Sequence, residues 1–141
     1  MCVAWINSTS CVAAQFAARF GFAVAPETVE LCRGIDLSAL SSERVEGELK
    51  KALLQSETPS VFFEVLRDMD QLSPWFSELK PMIGLQQDPV YHPEGDVWVH
   101  TMEVLDRGAA RREKAENPYG FMLLCLCHDL GKTVTTEVSP R

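Results

Sequence analysis

The sequence predicts an all-α protein, and three observations support this fold class. Apolar residues recur at three- and four-residue spacing in successive segments, which is the helical period. Ser, Asp, Asn or Pro stands immediately before most of these segments, and Gly follows several of them, as expected at helix ends. No segment shows the alternation of apolar and polar residues that is typical of a half-buried strand.

The first two predicted helices are defined mainly by their end signals. Residues 11–20 are rich in alanine, a strong helix former, and Gly21 follows as a natural stop. Pro26 suits the first position of a short helix because its missing amide proton is not needed there, and Gly34 closes that helix.

The next two predicted helices each carry an apolar stripe. Ser41 can cap a helix over residues 42–54, and Thr58-Pro59 starts the following one. Because these helices are joined by a short turn, we expect their stripes to form a common core. The stripes consist of Val45, Leu49 and Leu53 in the first helix and Phe62, Val65, Leu66 and Met69 in the second. A short helix carrying Trp75, Phe76 and Leu79 should then begin at Ser73-Pro74.

Turn chemistry over residues 84–95 marks a predicted boundary, because this stretch contains Asp-Pro and His-Pro-Glu-Gly sequences. Beyond it, Asp96 can cap a helix that runs to about Glu113. Asn117-Pro118 can start another that ends at Gly131. We therefore divide the chain into residues 1–87 and residues 88–141.

Composition limits the classes of function. The net charge of −7 disfavours nucleic-acid binding, which needs clustered Lys and Arg. The basic pairs Lys50-Lys51 and Arg111-Arg112 are typical of solvated helix faces. No apolar run approaches the ~20 residues of a membrane span, and the N-terminus does not resemble a secretion signal. These features predict a cytoplasmic protein.

The five cysteines lack a C-x-x-C pair and are expected to be buried, reduced thiols.

All three histidines lie in the last fifty residues, at positions 92, 100 and 128. If the last two helices form an antiparallel hairpin centred near residue 115, His100 and His128 lie level to within roughly 4 Å along its axis at ~1.5 Å rise per residue. Both can then face one point, with Asp129 beside His128. Two imidazoles and a carboxylate suit Mn, Fe, Co, Ni or Zn, and an ion held there could activate water for attack on phosphorus.

Each of these residues also has a simpler interpretation. A His-Asp pair at a helix C-terminus arises by chance, and a protonated histidine is stabilised there by the helix dipole. His92, in a His-Pro-Glu turn, is typical of a surface loop. Lys132 could contact a phosphate or serve the helix C-terminus.

Four blocks of sequence resemble the bacterial multifunctional CCA-adding tRNA nucleotidyltransferases, the poly(A) polymerase-like group that carries a C-terminal HD phosphohydrolase domain. The blocks occur in the family's order. They are Phe-Ala-Ala-Arg-Phe-Gly-Phe at 16–22 with Ala-Pro-Glu-Thr at 25–28; Ser-Glu-Arg-Val-Glu-Gly-Glu-Leu-Lys at 42–50; Pro-Ser-Val-Phe-Phe-Glu-Val-Leu-Arg at 59–67; and His-Pro-Glu-Gly-Asp-Val-Trp-Val-His-Thr at 92–101 with Cys-His-Asp-Leu-Gly-Lys at 127–132.

The resemblance implies a helical neck and body over residues 1–87, without the catalytic head, followed by a truncated HD-type helical hairpin over 88–141. His100, His128 and Asp129 match the family's first metal ligands, and Asp129 would also be catalytic. His92, Glu94 and Asp96 match the loop before the first ligand. The family's closing aspartate has no counterpart after Asp129. Glu137 is the only later carboxylate side chain and could complete the site only if the tail folds back.

These implications lead to two main hypotheses. The first is a metal-dependent phosphohydrolase-like protein that holds Mn, Ni, Co, Fe, Zn or Mg weakly at His100, His128 and Asp129. His92 and Lys132 would contact a phosphate ester or nucleotide. The second is a non-catalytic helical interaction module. Nucleotidyl transfer and tRNA docking by this chain alone are not expected, because residues 6–12 lack the arginine with which the family reads the nucleotide and the charge is acidic. We also expect a homodimer, joined partly through residues 97–130.

Overall fold

The computed structural model describes residues 3–135, and the side chains of residues 7–135. Every regular element in that part of the chain is helical, which confirms the predicted fold class. The α-helices are α1 Val3–Phe20, α2 Pro26–Arg33, α3 Ser42–Gln55, α4 Ser60–Asp68, α5 Val97–Ala109, α6 Pro118–Cys127 and α7 Lys132–Thr135. Short 3-10 helices cover Leu37–Ala39, Ser77–Met82 and Arg112–Lys114. None of the described helices is long and apolar enough to cross a membrane.

The predicted helix starts are confirmed where a polar side chain caps the first turn. Ser41 accepts a hydrogen bond from the Arg44 amide at the start of α3. Asp96 accepts one from the Val99 amide at the start of α5. Asn117 does the same for the Gly120 amide at the start of α6. These caps satisfy backbone donors that have no partner within the helix.

Two predicted helix starts differ from the structure. The helix expected from Cys11 begins earlier, at Val3. The helix expected from Ser73-Pro74 is a 3-10 helix that begins only at Ser77. The residues before it form turns because tertiary contacts hold them there: the Trp75 indole donates to the Leu37 carbonyl at 2.9 Å.

Two predicted helix ends also differ. Helix α5 stops at Ala109 rather than near Glu113, since Arg112 turns inward and donates to the carbonyls of Leu53 and Ser56. Helix α6 stops at Cys127 rather than Gly131, and tight turns follow it before α7.

One apolar cluster joins both halves of the chain. Helix α1 packs against α3 and α4, while α5 packs against α6. The cluster takes side chains from all five of these helices, among them Ala14, Leu53, Leu66, Trp98, Leu105 and Met122. The predicted stripes contribute Leu49, Leu53, Phe62 and Leu66 to it, whereas Val45 lies in a second cluster with Cys11, Leu37 and Leu40. The division at residue 87 stays a prediction, and the core is common to both segments.

A second contact crosses the same predicted boundary. The Asp106 carboxylate on α5 accepts hydrogen bonds from both the amide and the hydroxyl of Ser60, at 3.0 and 2.7 Å. It therefore caps the N-terminus of α4 from another helix, in the place where Pro59 offers no side-chain cap.

The cysteine prediction is confirmed for three residues and wrong for one. Cys11, Cys32 and Cys125 are buried free thiols, whereas Cys127 is exposed. Cys127 faces away from the core because it lies two residues, about 200°, from Cys125 around α6. Cys2 lies outside the described residues.

Candidate metal centre

The α5–α6 hairpin positions the first pair of candidate ligands. His100 lies in the first turn of α5, which Asp96 caps, and His128 is the residue that ends α6. The two helices approach closely at Gly108, where an added Cβ atom would lie 2.8 Å from the Cys125 sulfur. This close approach of the helices lets the side chains of His100 and His128 meet at the end of the hairpin that lies away from its connecting loop.

The structure brings His100, His128 and Asp129 together. The two Nε2 atoms lie 3.4 Å apart. Asp129 Oδ2 lies 3.6 Å from His100 Nε2 and 3.4 Å from His128 Nε2. The imidazoles are partly exposed and the carboxylate is buried, so one side of the group remains open.

Hydrogen bonds at the Nδ1 atoms of His100 and His128 fix the tautomers of the two rings. His100 Nδ1 contacts the Glu94 carboxylate at 2.5 Å, and His128 Nδ1 contacts the Cys125 carbonyl at 2.8 Å. Both oxygens can only accept, so each Nδ1 carries the proton when the ring is neutral. Both Nε2 atoms then present lone pairs to one another and to Asp129. Three electron-pair donors face one point, an arrangement that a cation stabilises.

The spacing of these atoms also fits a small divalent ion. In tetrahedral sites, histidine nitrogen and carboxylate oxygen bind zinc at about 2.0–2.2 Å, which places the ligand atoms about 3.3–3.6 Å from one another. The three separations in this group are 3.4, 3.4 and 3.6 Å. The donor set and its spacing therefore suit such an ion and leave a fourth position for water.

Lys132 lies against the same carboxylate. Its ammonium group donates to Asp129 Oδ2 at 2.9 Å and to Gln87 Oε1 at 2.8 Å. Lys132 thus provides Asp129 with a positively charged partner from within the protein. It also ties the His-Asp segment to residues 86–88 of the preceding loop.

His92 lies on the other side of His100. Its ring centroid is 4.9 Å from that of His100, and its Nδ1 atom is 3.2 Å from Glu94 Oε1. The pKa of the Glu94 carboxyl is lowered to about 2, first by the hydrogen bond from its own backbone amide and then by the one from His100. Glu94 is thus an anion that both imidazoles contact.

A cavity of about 240 Å³ lies beside the candidate ligands. Five residues line it, and two of them, His92 and Lys132, are those predicted to contact a phosphate; the others are Gln86, Gln87 and Asp88. His92 and Lys132 therefore share a cavity wall, next to the group formed by His100, His128 and Asp129.

From the sequence, Glu94 was expected only in the loop before the first ligand, and Gln87 was not predicted. The two-residue spacing of His92 and Glu94 gave no sign that one carboxylate oxygen would meet two rings. Gln87 carried no motif, and its buried amide nitrogen has no partner among the described residues. Glu137, the expected late carboxylate, lies outside the described residues.

Comparison with known proteins gives a consistent set of relatives. The multifunctional CCA protein of Actinobacillus pleuropneumoniae serotype 5b is 41% identical over 131 residues, which cover 88% of this chain and 32% of the relative. That of Leptothrix cholodnii is 44% identical over 134 residues, covering 91% of this chain and 31% of the relative. That of Pseudomonas fluorescens (strain Pf0-1) is 40% identical over 131 residues, covering 88% and 31%.

The chain is homologous to part of the bacterial multifunctional CCA proteins. It spans about a third of the length of the relatives it matches. No protein-family profile matches it, and no solved structure is significantly similar to it.

Proposed function

We propose that residues 92–132 form an HD-type site that holds one divalent metal ion and supports phosphoester hydrolysis. The observation that carries the proposal is the convergence of His100 Nε2, His128 Nε2 and Asp129 Oδ2 within 3.6 Å of one another, with both imidazole protons held elsewhere. Homology to the multifunctional CCA proteins supports the same assignment.

The surrounding residues have distinct roles in this proposal. His100, His128 and Asp129 hold the ion, which when bound supplies a Lewis acid and a water of lowered pKa. The Lys132 ammonium balances the charge of Asp129 and is placed to meet an anionic group in the adjoining cavity. His92 lines the same cavity on the far side of His100.

The proposed site is a weak one. Three protein ligands leave an ion partly solvated, and the Lys132 ammonium shares the same carboxylate oxygen. We therefore propose low affinity for Mn, Ni, Co, Fe, Zn or Mg and little turnover of phosphate esters by this chain alone. We propose no nucleotidyl transfer by it, since residues 6–12 contain no arginine to read the nucleotide, and no tRNA docking, since its net charge is −7.

Cobalt titration tests the metal assignment, because Co²⁺ absorption in the visible range reports the coordination number and ligand type. We expect the wild-type chain to give the spectrum of a four- or five-coordinate ion with nitrogen and oxygen ligands. The variants His100→Ala and His128→Ala should lose it. Glu103→Gln is the matched control, because Glu103 lies on the same helix as His100 and, among the residues described, its ion pair is with the exposed Arg107. Binding that persists in both histidine variants would contradict the assignment.

Hydrolysis is tested separately with bis-p-nitrophenyl phosphate and p-nitrophenyl phosphate in the presence of Mn²⁺, Ni²⁺ or Co²⁺. Weak, metal-dependent release of nitrophenol that disappears in Asp129→Ala would support the phosphohydrolase proposal. Activity that is unaffected by Asp129→Ala, His100→Ala and His128→Ala would contradict it.

A second candidate function is that of a non-catalytic helical interaction module. The Lys132–Asp129 ion pair favours it, since it neutralises the buried carboxylate without a metal ion. Under this alternative the cobalt spectrum would remain that of the hydrated ion at all protein concentrations, and Asp129→Asn would destabilise the fold without changing any metal binding.

A further inference from the structure

We propose that Glu94 is a positioning residue that fixes the tautomers of His92 and His100 at the same time. The tautomer assignment rests on the geometry alone. Its consequence for metal affinity rests on the function proposed above. Nothing in the sequence motif distinguishes Glu94 from Asp96, the other acidic residue of the 92–96 loop, so the inference comes from the structure.

A single oxygen makes both contacts. Glu94 Oε1 lies 3.2 Å from His92 Nδ1 and 2.5 Å from His100 Nδ1. The two rings are nearly perpendicular, at 79°, so each presents its own Nδ1 edge to that oxygen. A carboxylate oxygen accepts and cannot donate, and each ring must therefore place its proton on Nδ1. The Nε2 atoms of both rings are left as acceptors.

The loop around Glu94 holds the carboxylate in place. Gly95 adopts a φ of 135°, which favours glycine, directly after Glu94. The next residue, Asp96, accepts hydrogen bonds from the amides of Gly84 and Val99, which ties the loop to both the preceding segment and α5. The Glu94 side chain is 17% exposed. Its position is set by the backbone on either side and by the two imidazoles.

A second metal ion is the competing explanation for the group formed by His92, Glu94 and His100, whose potential ligand atoms also lie within 4.8 Å of one another. An ion there would have to bind His100 through Nδ1. The short contact between that nitrogen and Glu94 is instead that of an N–H donor and a carboxylate, which leaves Nε2 for the first group. A carboxylate that orients a metal-binding histidine in this way also raises its basicity.

The assignment changes what His92 can do in the cavity. With its proton on Nδ1, the neutral ring offers only a lone pair at Nε2. His92 then accepts a proton from a water or hydroxyl group, and it can donate to a phosphate oxygen only as an imidazolium. Lys132, whose ammonium group donates in its ordinary charged state, is the other of the two predicted phosphate-contacting residues in that cavity wall.

Long-range proton–nitrogen NMR of the metal-free protein tests the assignment, since imidazole nitrogen shifts report the tautomer directly. At mildly alkaline pH we expect His92 and His100 in the wild-type chain to carry their protons on Nδ1. Glu94→Ala should release both protons to Nε2, whereas Glu94→Gln should retain Nδ1 protonation because the carboxamide oxygen still accepts. Glu103→Gln is the control. Nε2 protonation in the wild type, or an unchanged tautomer in Glu94→Ala, would overturn the proposal.

Cobalt titration of the same variants gives the second readout. Loss of a carboxylate behind a metal-binding histidine typically lowers affinity about 10- to 100-fold, and we expect Glu94→Ala to fall in that range while His128 keeps its tautomer. Equal cobalt affinity in the wild type and Glu94→Ala would overturn the positioning role. If the wild type binds no cobalt, the function proposed above fails, and the tautomer measurement still decides the role of Glu94.

Discussion

At the scale of single residues, the candidate site depends on where protons are held rather than on which residues are present. In the proposed site, His100 and His128 can act as ligands through Nε2 because Glu94 and the Cys125 carbonyl each accept a hydrogen bond from Nδ1 of the ring concerned. One of these acceptors is a side chain and the other is part of the backbone. A substitution can remove only the first, so His100 is the more easily disturbed of the two histidines.

Exposure predicts which thiol reacts. Cys11, Cys32 and Cys125 are buried, and burial raises the pKa of Cys11 to about 12. Cys127 is exposed, although partial desolvation raises its pKa as well. In a Cys2→Ser background, we expect iodoacetamide to label Cys127 alone in the native protein. The rate should increase with pH, because the thiolate is the reactive form. Mass spectrometry of tryptic peptides checks this, and labelling of Cys11 before Cys127 would contradict it.

At the scale of secondary structure, the α5–α6 hairpin is held close by one glycine. An added Cβ at Gly108 would lie 2.8 Å from the Cys125 sulfur and 3.5 Å from the Met122 sulfur. Gly108→Ala should therefore force the helices apart and lower the free energy of unfolding by about 1–3 kcal/mol, the usual cost of overpacking. Cobalt affinity should fall with it, since the same helices carry His100 and His128.

Gly47 provides the matched control for that substitution. It lies within α3, and a Cβ added there meets no atom within 4 Å. Gly47→Ala should raise the free energy of unfolding by about 0.5–1 kcal/mol through helix propensity alone. Urea denaturation of both variants measures the difference. Equal effects at the two positions would show that the close approach at Gly108 is unimportant.

The elements also show which features sequence can predict. Helix starts at Ser41, Asp96 and Asn117 were predictable because a capping side chain acts within its own turn. The meeting of His100 with His128 followed from helix rise once an antiparallel hairpin was assumed. The inward turn of Arg112 and the double contact of Glu94 were not predictable. Both depend on groups brought together by the fold: carbonyls far along the chain for Arg112, and the orientation of a ring for Glu94.

At the scale of the whole molecule, the apolar cluster makes the two predicted segments depend on each other. Leu66 is fully buried in this cluster. Leu66→Ala should lower the free energy of unfolding by about 2–5 kcal/mol, the range for truncating a buried leucine. Leu31→Ala is the control, since Leu31 is 76% exposed and surface substitutions usually change stability by less than about 0.5 kcal/mol. Thermal denaturation that is unchanged in Leu66→Ala would contradict the core assignment.

Assembly is the second prediction at this scale. Leu124 is 65% exposed on α6, a helix whose other faces are apolar. We expect the chain to form a homodimer that covers part of residues 97–130, because exposed apolar patches favour association. Light scattering coupled to gel filtration should give a dimer mass for the wild type and for Leu31→Glu, and a monomer mass for Leu124→Glu. A monomeric wild type at micromolar concentration would contradict this expectation.

The Asp106 cap on α4, together with the shared apolar cluster, joins the helices of the first predicted segment to the α5–α6 hairpin. A ligand that binds only the native state raises the unfolding free energy of every element that unfolds with its site. If α3 and α4 unfold together with the hairpin, an ion held by His100, His128 and Asp129 would slow amide hydrogen exchange in α3, which contains none of these ligands. A chelator would then act on α3 as a mild denaturant does.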